Sequence, residues 1–377
     1  MKKVFFAVLS SFLFFSCQSK TGVNVAKIAL VAPITGDLAA MGQGMKNAAQ
    51  MAVDEEQDII YTESEHNPFC DIKIELAAFD DRADPKEAVN IANQIISDRR
   101  IVGVVGHLNS GCSIPASSIY NRYNLVMISP ASTNPKLTQQ GFKNVFRTCT
   151  TDEIQGSFAA DFTYRKLDLK KVVIIHDKTP YGQGLAEEFS KQFQTDGGKV
   201  LSFDGINIGD KDFNALLTRL KSLSPQAIFF GGVYGEGGLI SRQAKGLGLK
   251  VPLIGGDALK SPEYVDIGGD ATEGDIITMI GLSPDKLPQA KEFISKYTSS
   301  YPQAKIQPYD AATYDTTKMI IEALRSVGAD KAKIIDYIAK IQYQGIIGTS
   351  SFDEKGDTNN KTVSIYKIKN GEFMSLE

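Results

Sequence analysis

The stretch Ile101-Val-Gly-Val-Val-Gly-His-Leu-Asn-Ser-Gly-Cys-Ser-Ile-Pro115 carries the pattern on which the fold turns. Ile101–Val105 is a short, apolar, β-branched run of the kind that makes a strand buried on both faces. A loop follows, then a helical segment through Tyr123, then a second apolar run at Leu125–Ile128. Strand, helix and strand in this order make a βα repeat, and such repeats pair their strands in parallel under covering helices.

The same alternation extends in both directions. Upstream, Lys27–Ala32 is a strand ended by Pro33, and Gly42–Glu56 is a helix with apolar Met45, Ala48, Ala49, Ala52 and Val53 on one face. Ile72–Phe79 is the next strand, and Asp84–Arg99 the next helix, with Pro85 in its first turn. Downstream a second series begins at Lys171. Strands at Val172–Ile175, Val200–Phe203, Ala227–Phe230 and Pro252–Gly255 alternate with helices at Gly184–Thr195, Asp212–Leu223 and Gly238–Gly246. The chain is therefore expected to be α/β, with two doubly wound parallel-sheet lobes joined near Arg147–Gln155. No low-complexity linker separates them. The last third adds helices at Pro288–Ser299 and Pro308–Val327. The tail Ile347–Ile368 reads as a hairpin pair around Asp353-Glu-Lys-Gly-Asp357.

A length of 377 residues suits two domains rather than one core. The formal net charge of -3 argues against a nucleic-acid partner, which would call for a basic face. At the N-terminus, Lys2 and Lys3 precede the apolar run Val4–Phe15, which is too short to cross a hydrocarbon core about 30 Å thick. That is the pattern of a secretory signal. Ser16-Cys17 at its end resembles a bacterial lipobox, so residues 1–16 are expected to be a lipoprotein signal peptide and Cys17 the lipidated mature N-terminus. Residues 17–26, with the polar run Gln18–Asn24, then form a tether. Cys70, Cys112 and Cys149 remain, an odd number that allows at most one disulfide.

In open parallel sheets ligands bind beyond the carboxyl ends of the strands. Three loops of the first unit fall there: Pro33–Gly44, Gly106–Pro115 and Ser129–Leu137. Ser110 and Thr133 sit beside helix N-termini, which suit an anion such as a carboxylate. Taken singly, each hydroxyl is expected only to cap its helix. The second unit offers Tyr181, the glycine-rich loop Gly231–Gly238 and Asp257. A carboxylate facing an anion site would complement an ammonium group, so the two together suit a zwitterion.

Enzyme motifs are weak. Gly182-Gln-Gly184 begins a dinucleotide fingerprint, but Glu187 takes its third glycine. His66, His107 and His176 accompany no nucleophile elbow, and His107 is expected to be a hydrogen-bonded structural residue. Asp353–Asp357 lacks the later ligands of a calcium loop and reads as a solvated turn. The expectation is a protein that is not an enzyme, with no cofactor and no metal.

Five segments carry a family resemblance: Phe79–Val89, Gly106–Gly111, Met127–Thr138, Ile175–Ala186 and Phe352–Asp357. They resemble the leucine/isoleucine/valine-binding protein family from about Lys27 to the tail. The resemblance implies a type I periplasmic binding protein with a three-crossing hinge. Its first lobe would comprise 27–148 plus about 281–350, its second 149–280 plus about 351–377. Leu108, Ser110, Ala131 and Thr133 would hold the ligand's α-carboxylate, Tyr181 would close over it, and Asp257 would take the place of the family's ammonium-binding acid. The pocket tyrosine of the 231–238 loop aligns with Val233, Tyr234 lying one residue on. Met41 and Tyr309 stand where pocket aromatics occur. The disulfide of some members is absent, since its positions hold Ala83 and Asn109. What is implied is a monomeric, extracytoplasmic lipoprotein, anchored on the periplasmic side. It captures an amino acid, branched-chain in type, for an ABC permease and ATPase complex. An extracytoplasmic sensor signalling to a membrane receptor remains the alternative, and the sequence does not identify the ligand.

Overall fold

The computed structural model describes residues 24–60, 72–282 and 287–376. The signal peptide, Cys17, His66 and Cys70 lie outside them. The chain begins with β1 (Asn24–Ala32), α1 (Ala39–Ile60), β2 (Ile72–Asp80), α2 (Pro85–Ser97), β3 (Ile101–Gly106), α3 (Ser110–Arg122), β4 (Val126–Ser129) and β5 (Val145–Arg147). These strands form one parallel sheet in the order β2-β1-β3-β4-β5. β1 starts at Asn24, three residues inside the stretch expected as tether, because its first residues already pair with Ile72–Ile74 of β2.

The second series is α4 (Asp152–Asp161), β6 (Lys171–His176), α5 (Pro180–Thr195), β7 (Lys199–Gly205), α6 (Asn214–Ser222), β8 (Ala227–Gly231), α7 (Tyr234–Gly246), β9 (Leu253–Gly255), α8 (Pro262–Gly268) and β10 (Ile276–Ile280). The chain then returns to the first sheet with α9 (Pro288–Ser300), α10 (Asp310–Val327) and α11 (Lys331–Ile338). It continues through the hairpin β11 (Tyr343–Gly345) and β12 (Gly348–Ser350), and ends in β13 (Val363–Lys369) and β14 (Glu372–Ser375). The second sheet runs β14-β13-β10-β9-β8-β6-β7, parallel except where β13 joins β10 and β14 joins β13. The chain thus crosses between the sheets after β5, after β10 and after β12.

Alternation along each strand decides which helices cover which face. Ile28 and Leu30 of β1 pack with Met45 and Ala49 of α1 and Met319 and Ile320 of α10. Ala29 and Val31 point the other way, onto Ile91 and Ile95 of α2 and Ile119 of α3. The second sheet repeats this. Ile175 and Phe230 meet Leu217, Leu220 and Ile240 on one face, while Ile174 and Phe229 meet Leu185, Phe189 and Phe193 on the other. Asp84 caps α2 by accepting from the amides of Lys86 and Glu87 at 2.6 and 3.2 Å, with Pro85 opening the helix.

The tail differs from its expected form. The hairpin of the last strands turns at Asn370-Gly371, where both residues have positive φ (53° and 75°), as a tight two-residue hairpin turn requires. The segment Asp353–Asp357 is closed by one bridge between Phe352 and Thr358 and by the Asp353 amide donating to the Asp357 carbonyl at 2.8 Å. It is no free solvated turn, since Asp357 reaches inward to Arg147.

Candidate functional site

The strand order reverses at β1/β3 in the first sheet and at β6/β8 in the second, so the loops after these four strands open toward one crevice. Met41 follows β1 on the first turn of α1, and Leu108 and Ser110 follow β3. Tyr181 follows β6 and Tyr234 follows β8, each in the first turn of its helix rather than in a loop. The sequence starts these helices late because Gly182, Gly184, Gly235, Gly237 and Gly238 read as breakers. Pro180 and the Thr179 hydroxyl, which accepts from the Gly182 amide at 2.9 Å, are the stronger start signals.

All the expected pocket residues are buried, and Met41, Leu108, Ala131, Tyr234 and Tyr309 belong to one apolar cluster. Asp257 opens a short turn after β9 and is fully buried. Its carboxylate accepts from the hydroxyl of Tyr181 at 2.9 Å and from that of Tyr309 at 2.6 Å. Burial, with the charge of Asp257 beside them, pushes both phenols well above their ordinary range, so both stay protonated and donate. Burial also raises the Asp257 carboxyl, against the lowering effect of those two hydroxyls.

On the same lobe as Asp257 lies a group that the sequence does not single out. Asp152, first residue of α4, is fully buried, and its carboxylate makes no close hydrogen bond among the described residues, the Thr133 hydroxyl being the donor beside it. Its amide donates to the Thr133 carbonyl at 3.0 Å, which sets it beside that hydroxyl. Burial drives the Asp152 carboxyl well above its usual range, and the charge of Asp257 adds to the rise. Unsatisfied buried acceptors are costly and rare. The available signal was Thr151-Asp152-Glu153, an N-cap residue with acids in the first turn, hidden by reading the stretch as a join between units.

The expectation that Ser110 and Thr133 are helix caps is not met. The N-cap residues are Asn109 and Asn134, and Asn109 makes no side-chain cap bond. The Ser110 hydroxyl instead accepts from the Asn134 amide at 3.3 Å, tying the loops after β3 and β4 together. Gly106 turns the chain here with φ 125°. A Cβ at that position would lie 2.2 Å from the Val31 carbonyl oxygen. His107 is buried between Asp81 at 2.7 Å and Tyr120 at 3.1 Å. Cys112 and Cys149 are buried free thiols.

The lobes are shut on each other. Tyr234 donates to the Asp37 carbonyl at 2.6 Å, Asn134 to the Pro180 carbonyl at 2.6 Å, and Ser261 to Gln307 at 2.9 Å. At Gly184 a Cβ would lie 2.7 Å from the Asn134 side-chain nitrogen, so a larger residue would wedge this contact. Val233, where the pocket tyrosine is expected, is the N-cap residue of α7 and only partly buried. The one-residue shift hands the hydroxyl of Tyr234 to the lobe contact.

The profile of the periplasmic binding protein family matches residues 25–372 of this chain. The chain belongs to that family. This binding protein is 35% identical over 343 residues to Leu/Ile/Val-binding protein homolog 1 of Brucella suis, covering 90% of this chain and 89% of the relative. It is 34% identical over 351 residues to the leucine-, isoleucine-, valine-, threonine- and alanine-binding protein of Pseudomonas aeruginosa, covering 91% and 90%. Among solved structures it resembles a leucine-binding protein of Thermotoga maritima, with TM-score 0.84, 32% identity and coverage of 93% and 98%. LivJ of Streptococcus pneumoniae, a branched-chain amino acid transporter substrate-binding protein in complex with isoleucine, also has TM-score 0.84, with 26% identity and the same coverage. These relatives are solute-binding proteins, not enzymes, and the type I two-lobe fold is theirs. No helix among the described residues is long and apolar enough to cross a membrane.

Proposed function

We propose that this binding protein captures a zwitterionic α-amino acid of branched-chain type by lobe closure and hands it to an ABC importer. It acts as a monomer on the periplasmic side of a bacterial membrane, anchored through lipidated Cys17. One observation supports the reading: fully buried Asp152, with the Thr133 hydroxyl beside it, lies near enough to buried Asp257 to feel its charge, and two buried acids call for a cation. An ammonium brings only donors and would satisfy such acceptors. The first turn of α3, with Ser110 and an N-cap that makes no side-chain bond, offers amides and a hydroxyl to the ligand's carboxylate. Leu108 and Ala131 supply backbone contacts beside it, and Met41, Tyr234 and Tyr309 bound an apolar space for the side chain. Tyr181 closes over the ligand from the second lobe. The printed names of the Brucella, Pseudomonas and Thermotoga relatives support leucine, isoleucine and valine as the first compounds to try.

Closure is ligand-driven only if the ligand contacts the shut form better than the open one. A ligand that touches Ser110 and Thr133 on one lobe and Tyr181 and Asp257 on the other meets that condition. Calorimetric titration of the mature protein with a panel of amino acids tests the reading. A branched-chain amino acid should bind, and Asp257→Ala should weaken it at least tenfold, the lower end for a hydrogen bond to a charged group of about 1.5–3 kcal/mol. Binding by no amino acid, or equal binding by the variant, would sink it. Loss of metabolic fatty-acid labelling in Cys17→Ser tests the anchor, and loss of uptake on deleting the protein tests delivery.

A further inference from the structure

A cavity of about 200 Å³ lies between the lobes, flanking the hinge segments Thr148–Thr150 and Met279–Leu282. Of the residues assigned to the amino-acid site, Tyr309 alone lines it. Met41, Ser110, Thr133, Tyr181 and Asp257 do not. Its walls are mainly apolar and come from both lobes: Phe293, Ile294 and Ile306 on one side, Tyr366 and Phe373 on the other, with Gln307 and Asn360 among them.

One charge faces into this space. The Lys260 ammonium stands 4.3 Å above the Tyr366 ring and 5.3 Å from the centre of the Phe373 ring. Among the described residues it makes no ion pair with a carboxylate. Burial pulls its pKa down to about 8. Two ring faces only partly offset the cost of burying an ammonium. An anion is the complement that the described residues do not give this lysine. Size narrows the choice, since an apolar cavity of about 150 Å³ takes a benzene-sized molecule. By proportion, this one takes about eight heavy atoms.

We propose that this hinge-flank cavity is a second ligand site, for a small amphipathic carboxylate. Its carboxylate pairs with Lys260, and its apolar body lies against Phe293 and Ile306. Because opening the lobes separates the walls, an occupant binds the shut form better and favours closure. Capture in the main crevice is then strengthened by a chemically different molecule. The second site stands whether or not the main ligand is an amino acid.

Hexanoate, with a six-carbon chain and one carboxylate, is the probe. Calorimetry should show hexanoate binding to the mature protein, and binding roughly tenfold weaker for hexan-1-ol, which lacks the charge. Lys260→Met should weaken hexanoate by a similar factor, and Lys260→Arg should retain it. Hexanoate should bind the leucine-free protein, and hexanoate should raise leucine affinity. No hexanoate binding, equal binding by Lys260→Met, or displacement of hexanoate by leucine would overturn the second site. If leucine fails to bind while the Lys260 pattern holds, only the amino-acid reading falls.

Discussion

Tyr309, at the entry to α10 in the first lobe, donates its hydroxyl to Asp257 of the second lobe over 2.6 Å. The bond crosses the crevice and holds one carboxylate oxygen, while Tyr181 holds the other. Two neutral donors keep the acid in place without neutralising it, so it can still meet an ammonium. Tyr309→Phe removes a donor to a buried carboxylate and should weaken amino-acid binding about tenfold, with the fold intact by circular dichroism. Undiminished affinity would mean that the contact only positions the lobes.

Asp152 gives a sharper test because burial outweighs the help its charge receives from the Thr133 hydroxyl and from Arg147. Its folded pKa is raised, so the free protein holds a proton there at pH values where an exposed aspartate has lost it. A ligand ammonium favours the ionised form and expels that proton. Affinity should therefore rise with pH up to the raised pKa. Calorimetry in buffers of different ionisation enthalpy should show proton release. Asp152→Asn should abolish the release and weaken binding, while unfolding stability changes by no more than about 1 kcal/mol.

Asp310 predicts how stability depends on pH. One of its oxygens accepts from the Gln307 amide at 2.9 Å and the Tyr297 hydroxyl lies beside the carboxyl, but burial outweighs both and raises its pKa to about 8. An exposed aspartate titrates near 4. Between about pH 4 and 8 the folded protein thus binds a proton that the unfolded chain has lost. Its contribution is complete below about pH 4 and falls as pH rises, by at most about 1.4 kcal/mol per pH unit. Urea unfolding at pH 5, 6, 7 and 8 should show this slope, and Asp310→Asn should flatten it. An unchanged slope in the variant would place the dependence elsewhere.

Lobe closure can be probed at Tyr234. Its hydroxyl spans from α7 to the Asp37 carbonyl, with the Ala40 amide beside it. Tyr234→Phe should lower ligand affinity by roughly 2–10-fold, the worth of one neutral hydrogen bond of about 0.5–1.5 kcal/mol. Small-angle scattering should show a larger open fraction in the variant without ligand.

The fully buried Arg147 is the structural counterpart of these site residues. Its guanidinium donates to the Ser132 and Asn134 carbonyls at 3.0 and 2.9 Å, to Thr138 at 2.6 Å and to Asp357 at 2.5 Å. It pins the loop that carries Thr133 to the tail segment. Arg147→Met leaves Asp357 without its cation and should cost about 3–5 kcal/mol in urea unfolding. A loss under about 1 kcal/mol would show that water replaces it.

Much of this architecture is legible in local pattern. Buried parallel strands are continuous apolar runs, and Ile101–Val105, Val172–Ile175 and Ala227–Phe230 announce themselves for that reason. The C-terminal turn is equally legible: Asn370-Gly371 between two alternating segments is a stronger short-range hairpin signal than the acidic 353–357 run. Ser110, Thr133, Tyr181 and Asp257 could be named because they follow strands at sheet ends where helices begin. Asp152 and Lys260 could not. An acid at a helix start and a lysine in a turn are ordinary on a surface, and only burial makes them costly.

By itself, the sequence determined which residues form strands and helices and which faces they bury, because side-chain periodicity is a local property of the backbone. Tertiary structure alone decided that buried Asp152 and Thr133 come near Asp257, that Tyr309 crosses to Asp257, and that Lys260 faces a mainly apolar cavity beside the hinge. The physical reason is desolvation. An acid or amine acquires its chemistry when distant segments, brought together by three chain crossings, take its water away.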